Sequence, residues 1–148
     1  MLYQPLLIGE RPYHAASGNV PGFREHRHPE LELSYCLRGI YSICINKKVY
    51  KMDEGDLAII SSMASHEFPT NKNKDCLGLT IMVGPAFLSH YFEGFSKSVL
   101  TTPVISLKDN NTLSSVSYLK RPHIFTKIKA IFLKCYLREI YIKSVRIC

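Results

Sequence analysis

Four side chains that can bind a metal ion or transfer a proton lie in the first half of the chain. His26, His28 and Glu32 occupy positions of the same parity, and His66 follows after a turn marked by Gly55. In an extended strand, positions of one parity share one face. The odd positions of the same segment, up to the turn at Gly39, are apolar: Leu31, Leu33, Tyr35 and Leu37. An ordinary half-buried strand would turn the polar side chains to water, whereas a barrel around a wet pocket would turn them inward.

If the three imidazoles and the carboxylate converge, they could have any of three roles. Neutral histidine and carboxylate suit Zn, Mn, Fe or Ni, and such an ion could activate water or bind the oxygens of a substrate. The same groups could instead line a metal-free pocket and exchange hydrogen bonds with a small polar molecule. They could also form structural hydrogen bonds only.

Other residues of a chemical type are interpreted as structural. Cys36 shares the parity of Glu32, but a lone buried cysteine usually packs as a small apolar group. Arg38 is expected at the surface of a strand end. The remaining histidines have no companions at ligand spacing: His14, His90 and His123.

Short strands separated by turns should position these side chains. The segments Leu31–Leu37, Ile40–Ile45 and Val49–Met52 are rich in apolar and β-branched residues, and Asn46 tolerates the left-handed backbone of a hairpin turn. Leu57–Ile60 and Cys76–Val83 continue the series. Because no helix separates these strands, the pattern predicts an antiparallel sandwich or barrel.

Both ends of the chain differ from this middle part. Residues 1–25 contain several prolines and glycines and are predicted to form an arm with a first strand or two. A short helix is predicted over Pro85–Phe92 and a strand over Thr102–Leu107. A long helix is predicted from His123 to about Arg146, with a broad apolar arc that needs a partner surface.

Charge and cysteine usage narrow the protein class. The formal net charge of +7 comes entirely from residues 118–148, since residues 1–117 contain 11 basic and 11 acidic side chains. Clustered charge on a helix is more often a solvated face than a nucleic-acid site. Five cysteines without a C-x-x-C pair favour reduced thiols. With no signal peptide and no stretch long enough to span a membrane, we expect a cytoplasmic protein.

The spacing of the four side chains resembles a known family. His26, His28, Glu32 and Gly39 match the first cupin motif, H-x-H-x3-E-x6-G. Gly55 and His66 match part of the second motif, G-x5-P-x-G-x2-H. In that motif Ser61 replaces the proline and Met63 the glycine. Residues 24–92 are also similar to the N-terminal ligand-binding and dimerisation domain of AraC-type transcription regulators.

This resemblance implies a mostly β fold: a cupin barrel (double-stranded β-helix, jelly-roll-like) followed by a C-terminal α-helix. Residues 1–107 would form the ligand-binding barrel with its N-terminal arm. Residues 108–148 would form a linker and a helical segment that pairs subunits into a homodimer. No helix-turn-helix unit follows Leu119, so this chain alone is not expected to bind DNA specifically.

The sequence therefore supports three hypotheses. The leading one is a non-catalytic sensing and dimerisation domain of an AraC-type regulator without its DNA-binding half. It would bind a small polar molecule, for example a sugar, and would need no cofactor. The alternative is a metal-dependent cupin enzyme, an isomerase or dioxygenase, with a divalent Zn, Mn, Fe or Ni ion. A truncated or frame-shifted remnant is the third. The ligand-binding residues, and the metal ligands, would be the same four: His26, His28, Glu32 and His66.

Overall fold

The computed structural model describes residues 2–3, 13–71, 75–91 and 102–106. These residues form two β-sheets in which most strands pair antiparallel. Within these ranges, ten β-strands form two five-stranded sheets and one short α-helix follows the ninth strand. The mostly β class predicted from the sequence is confirmed. The predicted linker and C-terminal helix of residues 108–148 lie outside the described residues. No described helix has the length and apolar character needed to cross a membrane.

The first sheet has the spatial order β1-β3-β8-β5-β6. β1 pairs parallel with β3, and the other neighbours pair antiparallel. The strands are β1 (Leu2–Tyr3), β3 (Phe23–Arg27), β8 (His66–Phe68), β5 (Ile40–Ile45) and β6 (Lys48–Asp53).

The second sheet has the order β10-β7-β4-β9-β2 and is antiparallel throughout. The helix α1 (Pro85–Tyr91) begins two residues after β9 ends. The strands are β10 (Val104–Ser106), β7 (Asp56–Ile60), β4 (Leu31–Arg38), β9 (Leu77–Val83) and β2 (Tyr13–Asn19).

Two tight turns set the register around the barrel. Asn46 and Lys47 have φ angles of 49° and 66°, which gives the two-residue turn that the hairpin β5–β6 requires. Gly39 joins β4 to β5 with φ of 82°, and a Cβ there would lie 3.0 Å from the sulfur of Cys76. A side chain at position 39 would therefore be strained both by the backbone and by this neighbour.

Alternation along β4 divides the apolar side chains into two clusters. Leu31 and Leu33 point to the outer face of the second sheet, where they pack with residues of β7 and β9 and with Leu88 of α1. Cys36 points the other way, into a cluster that contains residues of both sheets and therefore lies between them. This second cluster comprises Cys36, Tyr41, Ile43, Ile45, Met52, Ala58, Ile60 and Cys76.

The parity prediction for the polar side chains holds only from Glu32 onwards. β3 ends at Arg27 and β4 begins at Leu31, so the chain leaves the first sheet and enters the second between these residues. His26 and Glu32 thus belong to different sheets and meet across the interior, not along one strand.

Candidate metal centre

The four predicted side chains come together inside the barrel. One donor atom each from His26, His28, Glu32 and His66 lies within 4.8 Å of the other three, and all four residues are buried. The structure thus places the whole predicted set in one cluster.

Three strands and one connecting segment each supply one side chain to this cluster. In the first sheet, His26 of β3 and His66 of β8 are direct antiparallel partners, and their ring centroids lie 4.1 Å apart. Glu32 comes from β4 in the second sheet. His28 lies in the short connection between the two sheets, so it completes the cluster from the side where the chain crosses over.

The turn that delivers His66 survives the loss of the glycine in the second motif. Met63 takes the place of that glycine, and it adopts φ of 63°, the left-handed conformation that glycine would adopt at no cost. Its backbone N–H donates to the carbonyl of His28 at 2.8 Å, which ties the two histidine-bearing segments together. The residue types here differ from those of the second cupin motif, but the local backbone still forms a tight turn.

Backbone contacts fix the protonation pattern of two imidazoles. The Nδ1–H of His26 donates to the carbonyl of Arg24, and the Nδ1–H of His66 donates to the carbonyl of Ala64, both at 2.9 Å. In the neutral rings, Nε2 therefore carries the lone pair that a metal ion would bind.

His66 supplies the clearest sign that a cation belongs here. Its Nε2 is buried and makes no hydrogen bond among the described residues, although it lies 3.3 Å from Oε2 of Glu32. In the neutral tautomer this arrangement brings two lone pairs face to face. A proton or a metal ion between them turns the contact from unfavourable to favourable.

His28 lies between two buried carboxylates. Its Nε2 is hydrogen-bonded to Oε2 of Glu32 at 3.1 Å, and its Nδ1 lies 3.3 Å from Oε2 of Glu30. If an ion binds Nε2, the proton of the neutral ring must lie on Nδ1, from which it can be donated in a hydrogen bond to Glu30. Carboxylates placed behind metal-bound histidines commonly orient them in this way.

The cluster keeps Glu32 ionised. Burial alone opposes ionisation of this carboxyl, but the hydrogen bond to His28, the close contact with His66 and the charge interactions with both rings outweigh burial and lower the pKa of Glu32 from 4.5 to about 2. For His26, burial and the neighbouring His66 lower the pKa below 6.5, which favours the neutral ring. No lysine or arginine is among the buried residues of the described ranges. Within these ranges, positive charge in the interior beside Glu32 can come only from the histidines or from a bound cation.

The donor set fits a divalent ion in both chemistry and spacing. Metal–nitrogen and metal–oxygen bonds of about 2.0–2.2 Å place donor atoms no more than about 4.4 Å apart. The largest separation allowed here is 4.8 Å, so a contraction of less than 1 Å would bring every donor within bonding distance. Three neutral imidazoles and one carboxylate suit Zn, Mn, Fe or Ni.

A cavity of about 390 Å³ opens beside the cluster, with His26 and Glu32 in its wall. Sequence reasoning missed most of its other lining residues and interpreted His14 as structural. Strand alternation could have indicated the position of His14. In the pairing of β2 with β9, His14 lies opposite Met82, and Met82 and Thr80 of β9 also line the cavity.

The weaker sequence candidates take structural positions. Cys36 is fully buried in the inter-sheet cluster, and its thiol donates to the carbonyl of Gly39 at 3.4 Å. Burial, followed by the nearby Cys76, raises the pKa of Cys36 to about 11, so the sulfur stays protonated. Arg38 is exposed and donates to the carbonyl of Asp75.

Comparison with known proteins identifies the domain. Residues 16–82 match the family model described as cupin domain. The chain therefore contains a cupin domain, and this part of the predicted resemblance is confirmed. The AraC-type part stays a prediction. No curated protein matches the sequence.

Several solved structures are similar over about half of the chain. One is a predicted oxalate decarboxylase from Thermotoga maritima, with 26% identity and a TM-score of 0.43; the match covers 47% of this chain and 64% of that one. A protein from Photorhabdus luminescens has 26% identity and a TM-score of 0.46, with coverage of 57% and 78%. Bacillus subtilis oxalate decarboxylase, a protein with Mn(II) centres, has 18% identity and a TM-score of 0.45, with coverage of 51% and 22%.

Proposed function

We propose that this protein is a metal-dependent cupin that holds a divalent ion with His26, His28, Glu32 and His66. The single observation that carries the proposal is the convergence of four buried donor atoms within 4.8 Å. The unmatched lone pair on Nε2 of His66 supports it further. Buried polar groups are normally satisfied, and in this cluster a cation satisfies the groups that now oppose one another.

When bound, the ion would supply Lewis acidity towards carboxylate, carbonyl or hydroxyl oxygens. The chain's own residues divide the remaining work. Glu32 would supply negative charge, Glu30 would accept a hydrogen bond from the Nδ1–H of His28, and the cavity beside His26 would hold the small molecule. We propose an isomerase or dioxygenase type of activity, as the alternative hypothesis from the sequence predicts.

Metal analysis tests this proposal directly. Protein purified without chelator should contain close to one equivalent of Zn, Mn, Fe or Ni by elemental analysis, and stripped protein should take up Zn²⁺ stoichiometrically. Glu32→Gln keeps the shape of the side chain but removes its charge, so this variant should lose the ion. Glu67→Gln is the matched control, because Glu67 adjoins His66 on β8 and successive strand residues face opposite ways.

Absence of metal from the purified protein, together with no uptake of Zn, Mn, Fe or Ni, would remove the proposal. Equal metal retention in Glu32→Gln and Glu67→Gln would remove the assigned ligand set.

A second candidate keeps the cavity without the ion. Two buried contacts favour it, because the pairs His28–Glu32 and Ser34–Tyr41 are both joined by hydrogen bonds that need no metal. In that case the barrel would sense a small polar molecule, as in AraC-type regulators, and the C-terminal helix would pair two subunits. A metal-free dimer whose melting temperature rises with ligand would support this candidate.

A further inference from the structure

The cavity has direct access to the proposed ion. His26 and Glu32 form part of its wall, so a molecule bound in it can place an oxygen atom beside the donor cluster. Its volume of about 390 Å³ lies in the range usual for small-molecule sites. The charge and polarity of the other wall residues should therefore indicate which molecules the cavity binds.

The wall is unusual in its charge. Among the residues that the structure describes, its titratable side chains are His14, His26 and Glu32, and none is a lysine or an arginine. A buried anionic group without a positive partner is costly. A divalent ion can balance one carboxylate at the His26–Glu32 end of the cavity. A second carboxylate or a phosphate elsewhere in the cavity would meet no cationic side chain of the described wall residues.

Most of the other wall is apolar. Phe23 and Phe68 approach from the first sheet, and Met82 comes from β9 in the second sheet. Phe23 is 48% exposed, and its ring lies 4.6 Å from the ring of His26 in an edge-on arrangement. An exposed phenylalanine directly beside a buried polar cluster offers a stacking surface to a flat apolar group.

We infer that the cavity binds a monocarboxylic acid with an apolar, ring-sized body. The carboxylate would face the His26–Glu32 end, and the body would lie between Phe23 and Met82. This inference rests on the metal site proposed above. It predicts weaker binding of sugar phosphates and dicarboxylates, and it departs from the sugar suggested by the sequence resemblance.

Calorimetric titration of the Zn²⁺-loaded protein with three simple probes tests the inference. Phenylacetate carries the required groups, acetate lacks the body, and phenylsuccinate adds a second carboxylate. We expect phenylacetate to bind about 10-fold or more tightly than acetate, as burial of a phenyl group predicts. It should also bind about 10-fold or more tightly than phenylsuccinate, and should not bind after the ion is removed with chelator.

Two variants locate the binding mode. Phe23→Ala should weaken the binding of phenylacetate about 10-fold and leave the binding of acetate unchanged. Ile40→Ala is the control and should alter the binding of neither acid. Ile40 is likewise an exposed apolar residue, at 47%, but is not among the described residues of the cavity wall. Thr80→Lys places a cation in the wall and should raise the affinity for phenylsuccinate about 10-fold.

The outcomes separate this inference from the proposed function. If the protein takes up none of Zn, Mn, Fe and Ni, both fail. If it takes up Zn²⁺ but binds acetate or phenylsuccinate as tightly as phenylacetate, only the inference is overturned. Equal binding of phenylacetate to loaded and chelated protein, or an unchanged affinity in Phe23→Ala, overturns it as well.

Discussion

The interior of the barrel has two halves of opposite character. Around β5, β6 and β7 the inward side chains are apolar, with Ile43, Met52 and Ile60 almost fully buried. Around β3 and β8 the inward side chains include two imidazoles, those of His26 and His66. Both halves obey the same strand alternation, so the backbone does not distinguish them. The two halves differ in their effect on the free energy of folding. The apolar half lowers it by burying apolar surface, whereas the polar half, under the proposed function, would be stabilised by a bound cation.

The boundary between the halves runs through β4. Glu32 lies opposite Ile60 of β7, so a carboxylate of the polar half and an aliphatic side chain of the apolar half are direct cross-strand partners. Two residues further along, the hydroxyl of Ser34 meets that of Tyr41 at 3.1 Å. The halves are therefore in contact, and changes in one can be tested for their effect on the other.

Truncation in the apolar half should have the largest effect on stability. Met52 is fully buried, and Met52→Ala should lower the free energy of unfolding by about 2–5 kcal/mol because it leaves a cavity. Urea denaturation in chelator measures this loss. Val49→Ala, at an exposed position of the same strand, should change stability by less than about 0.5 kcal/mol. If the halves are independent, Met52→Ala should still bind Zn²⁺ stoichiometrically at low temperature; loss of the metal in a folded variant would contradict the comparison.

Acid should act on the polar half. Burial and His66 lower the pKa of His26, and the histidines lower the pKa of Glu32 to about 2 in spite of burial. In both cases the folded state binds fewer protons than the unfolded chain, so stability falls as pH falls. In metal-free protein the loss should begin below about pH 6.5 and continue from pH 4.5 towards 2, where Glu32 contributes up to about 3 kcal/mol. Glu32→Gln should remove the lower part of this dependence. A pH-independent stability in the wild-type protein between pH 7 and 3 would contradict the electrostatic description.

Glu30 should affect metal binding more than folding. Its carboxylate is buried beside Nδ1 of His28, and loss of such an outer partner typically costs about 10- to 100-fold in metal affinity. Glu30→Gln should show this loss in a Zn²⁺ titration, and the visible spectrum of the Co²⁺-loaded protein should shift. Glu54→Gln, at an exposed turn, is the control. Unchanged affinity and spectrum would show that Glu30 does not position His28.

Tyr41→Phe should have the smallest effect, at the boundary itself. Burial raises the pKa of the Tyr41 hydroxyl, which therefore stays protonated and can donate to Ser34. Loss of this hydrogen bond should cost about 1 kcal/mol of unfolding free energy. A double-mutant cycle with Ser34→Ala isolates the pair. A coupling energy near zero would mean that the two hydroxyls do not link the halves.

The strands of the central part were predictable because their local signals agree with the tertiary structure. The segments Leu31–Arg38 and Ile40–Ile45 combine apolar alternation with β-branched residues, and Asn46 marks the hairpin. His66 was found through motif spacing, although only the structure shows that Met63 supplies the turn. The four-residue set itself was therefore recoverable from the sequence.

The features that could not be predicted from the sequence depend on pairing between strands that are distant along the chain. β2 contains Ala15, Ala16 and Gly18, residues with little strand preference, yet it pairs with β9 over seven residues. His14 enters the cavity only because of that pairing. The placement of His26 and Glu32 on different sheets likewise depends on where the chain crosses over, and no local pattern encodes that crossing.

The crossover has a practical consequence for handling the protein. Because His26 and His66 belong to one sheet and Glu32 to the other, an ion held by all of them would act as a removable cross-link between the sheets. Free ion at 100 times its dissociation constant would add about 2.7 kcal/mol to the unfolding free energy. Two preparations of the same chain, one exposed to chelator and one not, should therefore melt at different temperatures.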